Sequence, residues 1–423
     1  MSSSNKRYSI FPFLLLLLTF VGVNQWSDIQ IGNTLIINAL KFLILYVMIY
    51  EKYKNDIQLF SPPYGIVAIY LIWAGIGILR GCYVAENYWE WKNLMNSSLI
   101  VLLPFCVYTF YEPDILHRSL RLWYPWALFA YIVFFYWQVN ISQFYLGPVY
   151  FAICFLPIIP TIKWKFIFIV INILFLTTNI EDERSQFVKA VAATAICILC
   201  LFRKYIGQWL IYLLSFVLFI LPFVFLVLGL TGEYNVFEDT SDKYEGQYVS
   251  EQYKEGSFTE YDISTDTRTF IYSEVINSAI NNEYVTFGRT PARGNDTEVF
   301  YDIADEMQAT HAVENIKHER PKNEVGFPNI FTWLGIVGLI LYMCIYITAA
   351  IYGLFKSKSF YVKMCGLMTS FNFFFGWVEN STVFDILNIT YWIFISICLS
   401  KKFREMTDDE FKNWFCTIFK RAE

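Results

Sequence analysis

Apolar runs recur along most of the chain, near 9–23, 34–50, 64–80, 97–111, 121–139, 148–162, 164–179, 187–202, 208–230, 328–355, 360–378 and 383–399. Short polar turns divide most of them. About 20 apolar residues in a helix cross the roughly 30 Å hydrocarbon layer of a bilayer. The pattern therefore predicts an all-α polytopic membrane protein with about twelve transmembrane helices. One polar stretch interrupts it, residues 231–327. The chain then divides into an N-terminal membrane domain of nine helices (1–230), a large loop (231–327), a C-terminal membrane domain of three helices (328–400) and a tail (401–423). FPFLLLLLTFVGV follows Lys6 and Arg7 in the layout of a signal sequence, but no small-x-small site follows Val23, so it reads as an uncleaved first helix.

Charge gives these spans a side. With the N-terminus in the cytoplasm, Lys52 and Lys54, Arg118 and Arg121, Lys163 and Lys165, Arg203 and Lys204, and Lys356 and Lys358 all fall in cytoplasmic connections. NQWSDIQIGN, NISQFYLGP and ENSTVFD, on the other side, carry no Lys or Arg, which is the positive-inside bias. Both termini are then cytoplasmic and the large loop is external, or periplasmic. In the tail, Thr407 and Glu410 have capping-box spacing, and Phe411, Trp414, Phe415, Ile418 and Phe419 share one helical face. That stripe, with Lys412, Lys420 and Arg421 around it, reads as an interfacial helix on the inner leaflet.

The large loop holds 20 acidic and 8 basic residues, a formal −12, against +7 for the remainder and −5 for the whole chain. The acidity is thus partitioned across a bilayer and says nothing about a partner. The first part of the loop lacks a sustained period and reads as loosely folded. RTFIYSEVINSAI reads as a helix, and Asn295 and Asp296 offer caps for a second short helix through TEVFYDIADEMQ.

Composition narrows the class further. With 56% hydrophobic residues, 20% aromatic and 16% charged, the chain is no soluble enzyme, disulfide scaffold or free nucleic-acid binder. Its 9 cysteines lie almost wholly in apolar runs. Cys197 and Cys200 form C-x-x-C without a nearby His or a further Cys, so they read as packing residues rather than metal ligands.

Basic residues on the outer side run against the charge bias, and each needs a reason. Arg80, Lys92 and Arg184 are those of the short connections. Arg184, at a helix mouth, could fork onto a phosphate or be neutralised by Glu181, Asp182 and Glu183. In the large loop Arg268 opens a helix, and Arg289 and Arg293 bracket the Gly/Pro turn GRTPARG, which suits an anion or, equally, salt bridges to the loop's carboxylates. KHERPKNEVGF crowds His318, Glu319, Arg320, Lys322, Asn323 and Glu324 at the mouth of the next helix, where His or Glu could act as a base or simply be solvated. Gly335 and Gly338 (G-x-x-G) would permit close helix approach. Lys41 lies deep in the second span with no acidic residue at similar depth offering itself as partner.

Arg-Ser at an outer helix mouth, then D-x-R-T-x-x-Y, G-R-T-x-x-x-G and a polar entry into a G-x-x-G helix resembles the O-antigen polymerase and O-antigen ligase superfamily, the Wzy-like polysaccharide polymerases. The resemblance implies a polytopic glycosyltransferase acting on undecaprenyl-pyrophosphate-linked oligosaccharide, with metal-independent transfer and no cofactor. A chain-length regulator is a further implied partner, alongside membrane lipid. The resemblance places Arg184, Arg268 and Arg289 on the pyrophosphate, with Arg293 in reserve. The superfamily's ligases carry His-Asn about eleven residues before the first glycine of G-x-x-G. Glu324 stands there in this chain. That departure favours polymerase over ligase and leaves Glu324, then His318, as the base. A flippase or other transporter is the competing class, against which stand the single large loop and the external clustering of basic residues.

Overall fold

The computed structural model describes residues 9–27, 34–54, 57–138, 145–177, 180–231, 249–254, 257–262, 267–297 and 319–420. His318 and the second expected loop helix lie outside these, as do the side chains of Arg184 and Arg268. The described chain is predominantly α-helical.

Every one of the twelve apolar segments carries helix, but few of these helices are unbroken at spanning length. Among the described residues, Gly65–Val84, Gln208–Leu228 and Gly326–Phe355 are long and apolar enough to span a bilayer. The pair Tyr88–Thr109 and Pro113–Phe135, bent by 111°, makes a fourth when counted as one span. The segment 148–162 shows why the count falls. Its helix stops at Cys154, followed by a 3-10 turn containing Pro157. Eight helical residues reach only about 12 Å, and proline cannot continue the ladder.

At the centre stands Ile386–Leu399, ILNITYWIFISICL, whose 14 residues are all buried. Apolar on every side, it has no face to turn outward. Gly326–Phe355, Phe360–Phe375, Cys106–Thr109 and Gly147–Cys154 pack around it. Asp385 caps its start, accepting the Asn388 N–H at 2.8 Å, and Ser400 starts the next helix, Lys401–Glu405.

The basic connections gather at one end of the bundle. There Arg203 pairs with Asp408 at 3.3 Å and Lys402 with Glu112 at 2.6 Å. The tail helix Asp408–Ile418 has the capping box its spacing predicts: the Thr407 hydroxyl accepts the Glu410 N–H and the Glu410 carboxylate accepts the Thr407 N–H. Its aromatic stripe, however, faces protein rather than lipid. Phe411 and Phe415 are fully buried, and Phe411 meets Phe155 at 5.4 Å while Phe419 meets Phe168 at 5.7 Å. The hydrophobic stripe was visible in sequence, but the cleft that receives it was not.

At the opposite end, the loop contributes more order than its pattern predicts. Val249–Lys254 and Ser257–Asp262 form an antiparallel hairpin in the stretch expected to be loose. Thr267–Asn281 is the expected helix, held by the Tyr272 hydroxyl donating to the Trp377 carbonyl at 2.8 Å. Asn295 and Asp296, offered as caps, instead pair as a two-residue strand with Glu319 and Arg320.

The long helix Gly326–Phe355 is broken at Gly335 (φ 68°, ψ −173°), a region open essentially to glycine alone. The break frees backbone groups, and residues 285–290 of the loop satisfy them. Arg289 and Thr290 N–H groups donate to the Thr332 and Trp333 carbonyls at 2.7 and 3.2 Å, and Ile336 N–H donates to Val285 at 2.8 Å. Trp73 donates its indole N–H to the Leu334 carbonyl at 2.9 Å. Buried backbone must be paired, so the break and the inserted loop require each other. Gly335 therefore admits a loop backbone rather than a helix.

Candidate functional site

The loop arginines are engaged with carboxylates. Arg293 makes a fork on Glu319, its Nε 2.7 Å from Oε2, and lies 3.7 Å from Glu90 at the start of Tyr88–Val101. Arg289 pairs with Asp296 at 2.6 Å and Glu319 at 3.2 Å, and donates to the Gly294 carbonyl at 3.1 Å. Both guanidinium groups are largely buried. The turn is thus a clasp tying the loop's two halves to a membrane helix, with its forks spent on carboxylates. Arg80, whose Nη1 donates to the Phe287 carbonyl at 2.8 Å, holds the same inserted segment.

Glu324 points outward. Its side chain is 75% exposed and lies 3.5 Å from Arg320. Its neighbour Asn323 is buried and locked, its N–H donating to Asn329 Oδ1 at 2.6 Å and its amide donating to Asn295 at 2.9 Å. Arg184 occupies the first turns of Ile180–Leu201, five residues ahead of Lys189. Arg268 is in the first turn of its helix, four residues before the docked Tyr272.

The structure assembles a charged cluster that the sequence did not reveal. Lys41, Lys189 and Lys322, from three separate segments, converge electrostatically on Asp385. Glu379 also faces Lys189. Lys189 is 1% exposed and hydrogen-bonded to the Ser185 hydroxyl at 3.3 Å. Lys41, Lys322 and Asp385 keep partial solvent access. Among the described residues neither Lys41 nor Lys322 makes an ion pair within 4.0 Å.

Helix lengths set this cluster inward from the loop end of the bundle. The central helix, 14 residues, is only about 21 Å long and falls about 10 Å short of the hydrocarbon thickness. With its C-terminal end fixed at the basic face, its start is recessed at the loop end. Asp385 caps that start. Lys41, eighth residue of Thr34–Lys54, and Lys189, tenth of Ile180–Leu201, lie about 10 and 13 Å down their helices from the same end. Lys322 arrives from the loop above. Among the described residues three ammonium groups face two carboxylates, Asp385 and Glu379. Burial pushes the Lys322 ammonium down to about 8, against the opposing pull of Asp385. Such a site suits a polyanion.

Lys41 was visible in sequence, but its acidic neighbour, Asp385, was hidden in the turn ENSTVFD. Lys189 was also missed, although a lysine inside the span 187–202 is itself the signal for an intramembrane site.

No protein-family model, curated protein or solved structure matches the chain.

Proposed function

We propose that this chain is a membrane glycosyltransferase that polymerises undecaprenyl-pyrophosphate-linked oligosaccharide repeat units into O-antigen or capsular polysaccharide at the outer face of the inner membrane. In this reading the chain crosses the membrane twelve times, with the basic tail end cytoplasmic and the loop end periplasmic. The observation that supports the reading is that Lys41, Lys189 and Lys322, from three separate segments, all face Asp385 electrostatically. Transfer of a sugar from a polyprenyl pyrophosphate puts growing negative charge on the leaving diphosphate. Preorganised cations in a site of low dielectric stabilise that charge strongly. The lysines take the diphosphate and Arg184 and Arg268 guard its approach, whereas Arg289 and Arg293 act by holding the loop in the broken helix.

Deleting the gene and resolving surface glycan on a gel tests the activity. Lipid cores capped with a single repeat are expected. Long glycan left unattached would identify a ligase, and loss of all surface glycan with internal accumulation a flippase.

The depressed Lys322 gives a pH dependence. In the free enzyme kcat/KM should fall as pH rises through about 8, as Lys322, facing Asp385 and Lys41, loses its proton. A lysine whose folded value lies below its ordinary 10.5 favours folding as pH climbs from about 8 toward 10.5, so the decline is not unfolding. Lys322→Arg, always charged, should remove that limb. An unchanged profile in the variant would assign the limb to another group.

A further inference from the structure

We propose that Asp385 is the general base of this transfer and that Gln186, Asn388 and Tyr391 cradle the attacking sugar; the inference rests on the glycosyltransferase reading above. Its basis is a group of buried polar atoms left without partners. Gln186, Asn388 and Tyr391 are 0%, 1% and 5% exposed. Among the described residues, Gln186 Nε2, Asn388 Oδ1 and Tyr391 Oη nonetheless have no hydrogen-bond partner. Each such group is destabilising if nothing fills the site.

The three belong to one place. Asn388 donates its amide to Asp385 at 3.0 Å, and Tyr391 follows one turn along the same helix. The Tyr150 hydroxyl donates to Gln186 Oε1, and Tyr391 lies in the field of both Tyr150 and Asp385. Gln186 is also three residues before Lys189 on its helix. The cradle therefore adjoins the cationic wall.

Their chemistry differs from that of the lysines. An amide N–H donates, an amide oxygen accepts and a phenol does either, so together they match the alternating donors and acceptors of sugar hydroxyls. A diphosphate offers acceptors alone. Asp385 is oriented for the proton, since both bonds from Asn388 fall on Oδ1 and Oδ2 keeps its lone pairs. Glu324, by contrast, is exposed and lies beside Arg320.

In the step, the acceptor hydroxyl oxygen bonds to the anomeric carbon of the donor as that carbon's bond to the pyrophosphate oxygen breaks. The electron pair leaves with the pyrophosphate toward the lysines. The hydroxyl proton passes to Asp385 Oδ2 and then to water or the departing pyrophosphate, which restores the carboxylate.

The test uses full-length protein in lipid nanodiscs with undecaprenyl-pyrophosphate-linked repeat units as substrate, and inorganic pyrophosphate as a separate binding probe. Asp385→Asn keeps a helix cap, because Asn caps as well as Asp. It is expected to lower kcat by about 100-fold or more while pyrophosphate binds equally or more tightly. Asp385→Glu should recover part of the rate, and Tyr391→Phe should raise the acceptor KM with kcat largely kept. An Asp385→Asn enzyme within threefold of the wild-type kcat overturns the proposal, as does a parallel loss of kcat and pyrophosphate binding. Wild-type protein that binds pyrophosphate yet does not extend the substrate overturns the glycosyltransferase reading itself, and this inference with it.

Discussion

Lys189→Met is expected to reduce polymer extension by roughly 100-fold or more without lowering the amount of protein in the membrane. The size follows from removing one preorganised charge from a water-poor site, which costs about 2.7–4 kcal/mol when that charge acts only in the transition state. The direction of the stability change separates this from damage to the fold. Lys189 is 1% exposed, and its ammonium carries a desolvation cost that methionine, similar in length, does not. The melting temperature of the purified variant should therefore hold or rise. Turnover, pyrophosphate affinity and melting temperature measured on one preparation decide the matter. Wild-type turnover in Lys189→Met would remove the lysine cluster from the reaction.

The second large effect concerns the broken helix. Gly335→Ala is expected to destabilise the fold by roughly 3 kcal/mol or more, among the larger costs of a single substitution. Two penalties combine. The backbone at φ 68°, ψ −173° is closed to alanine, and a Cβ there would run into the Thr286 carbonyl and the Gly288 nitrogen. The inserted strip 285–290 would be expelled, leaving the Thr332 and Trp333 carbonyls unpaired inside the membrane domain. A lower melting temperature and new protease cleavage within 284–293 are the expected signatures. Gly75→Ala is the matched comparison: nothing lies within 4 Å of its added Cβ, and alanine favours helix. If both variants melt together, the insertion does not hold the fold.

Much of the architecture was legible in the sequence because it depends on local rules. The capping box at Thr407 and Glu410, the helix through RTFIYSEVINSAI and the helical content of the apolar segments all formed as their patterns predict. Each is set by neighbours a few residues apart. The tail stripe shows where local rules stop. An aromatic face must be buried, but bilayer and protein bury it equally well, and only the cleft beside Phe155 and Phe168 makes the choice.

The candidate site divides in the same way. Arg289 and Arg293 drew notice in the sequence because arginine on a Gly/Pro turn is unusual on an acidic surface, yet Glu319, Asp296 and Glu90 engage them. Those carboxylates are up to some two hundred positions distant in sequence, and no spacing rule connects them. Asp385 looked like an ordinary turn residue.

By itself, then, the sequence determined that this protein is helical and apolar, with one long acidic loop and a charge bias that sorts its connections into two sets. These follow from composition and period, which each stretch of chain carries independently. Only the tertiary structure decided which charges meet. Three lysines from separate segments face Asp385 electrostatically at the start of the central helix, and a glycine-broken helix takes in the loop. Electrostatic energy depends on distance through space and on burial, and neither is written in the order of residues.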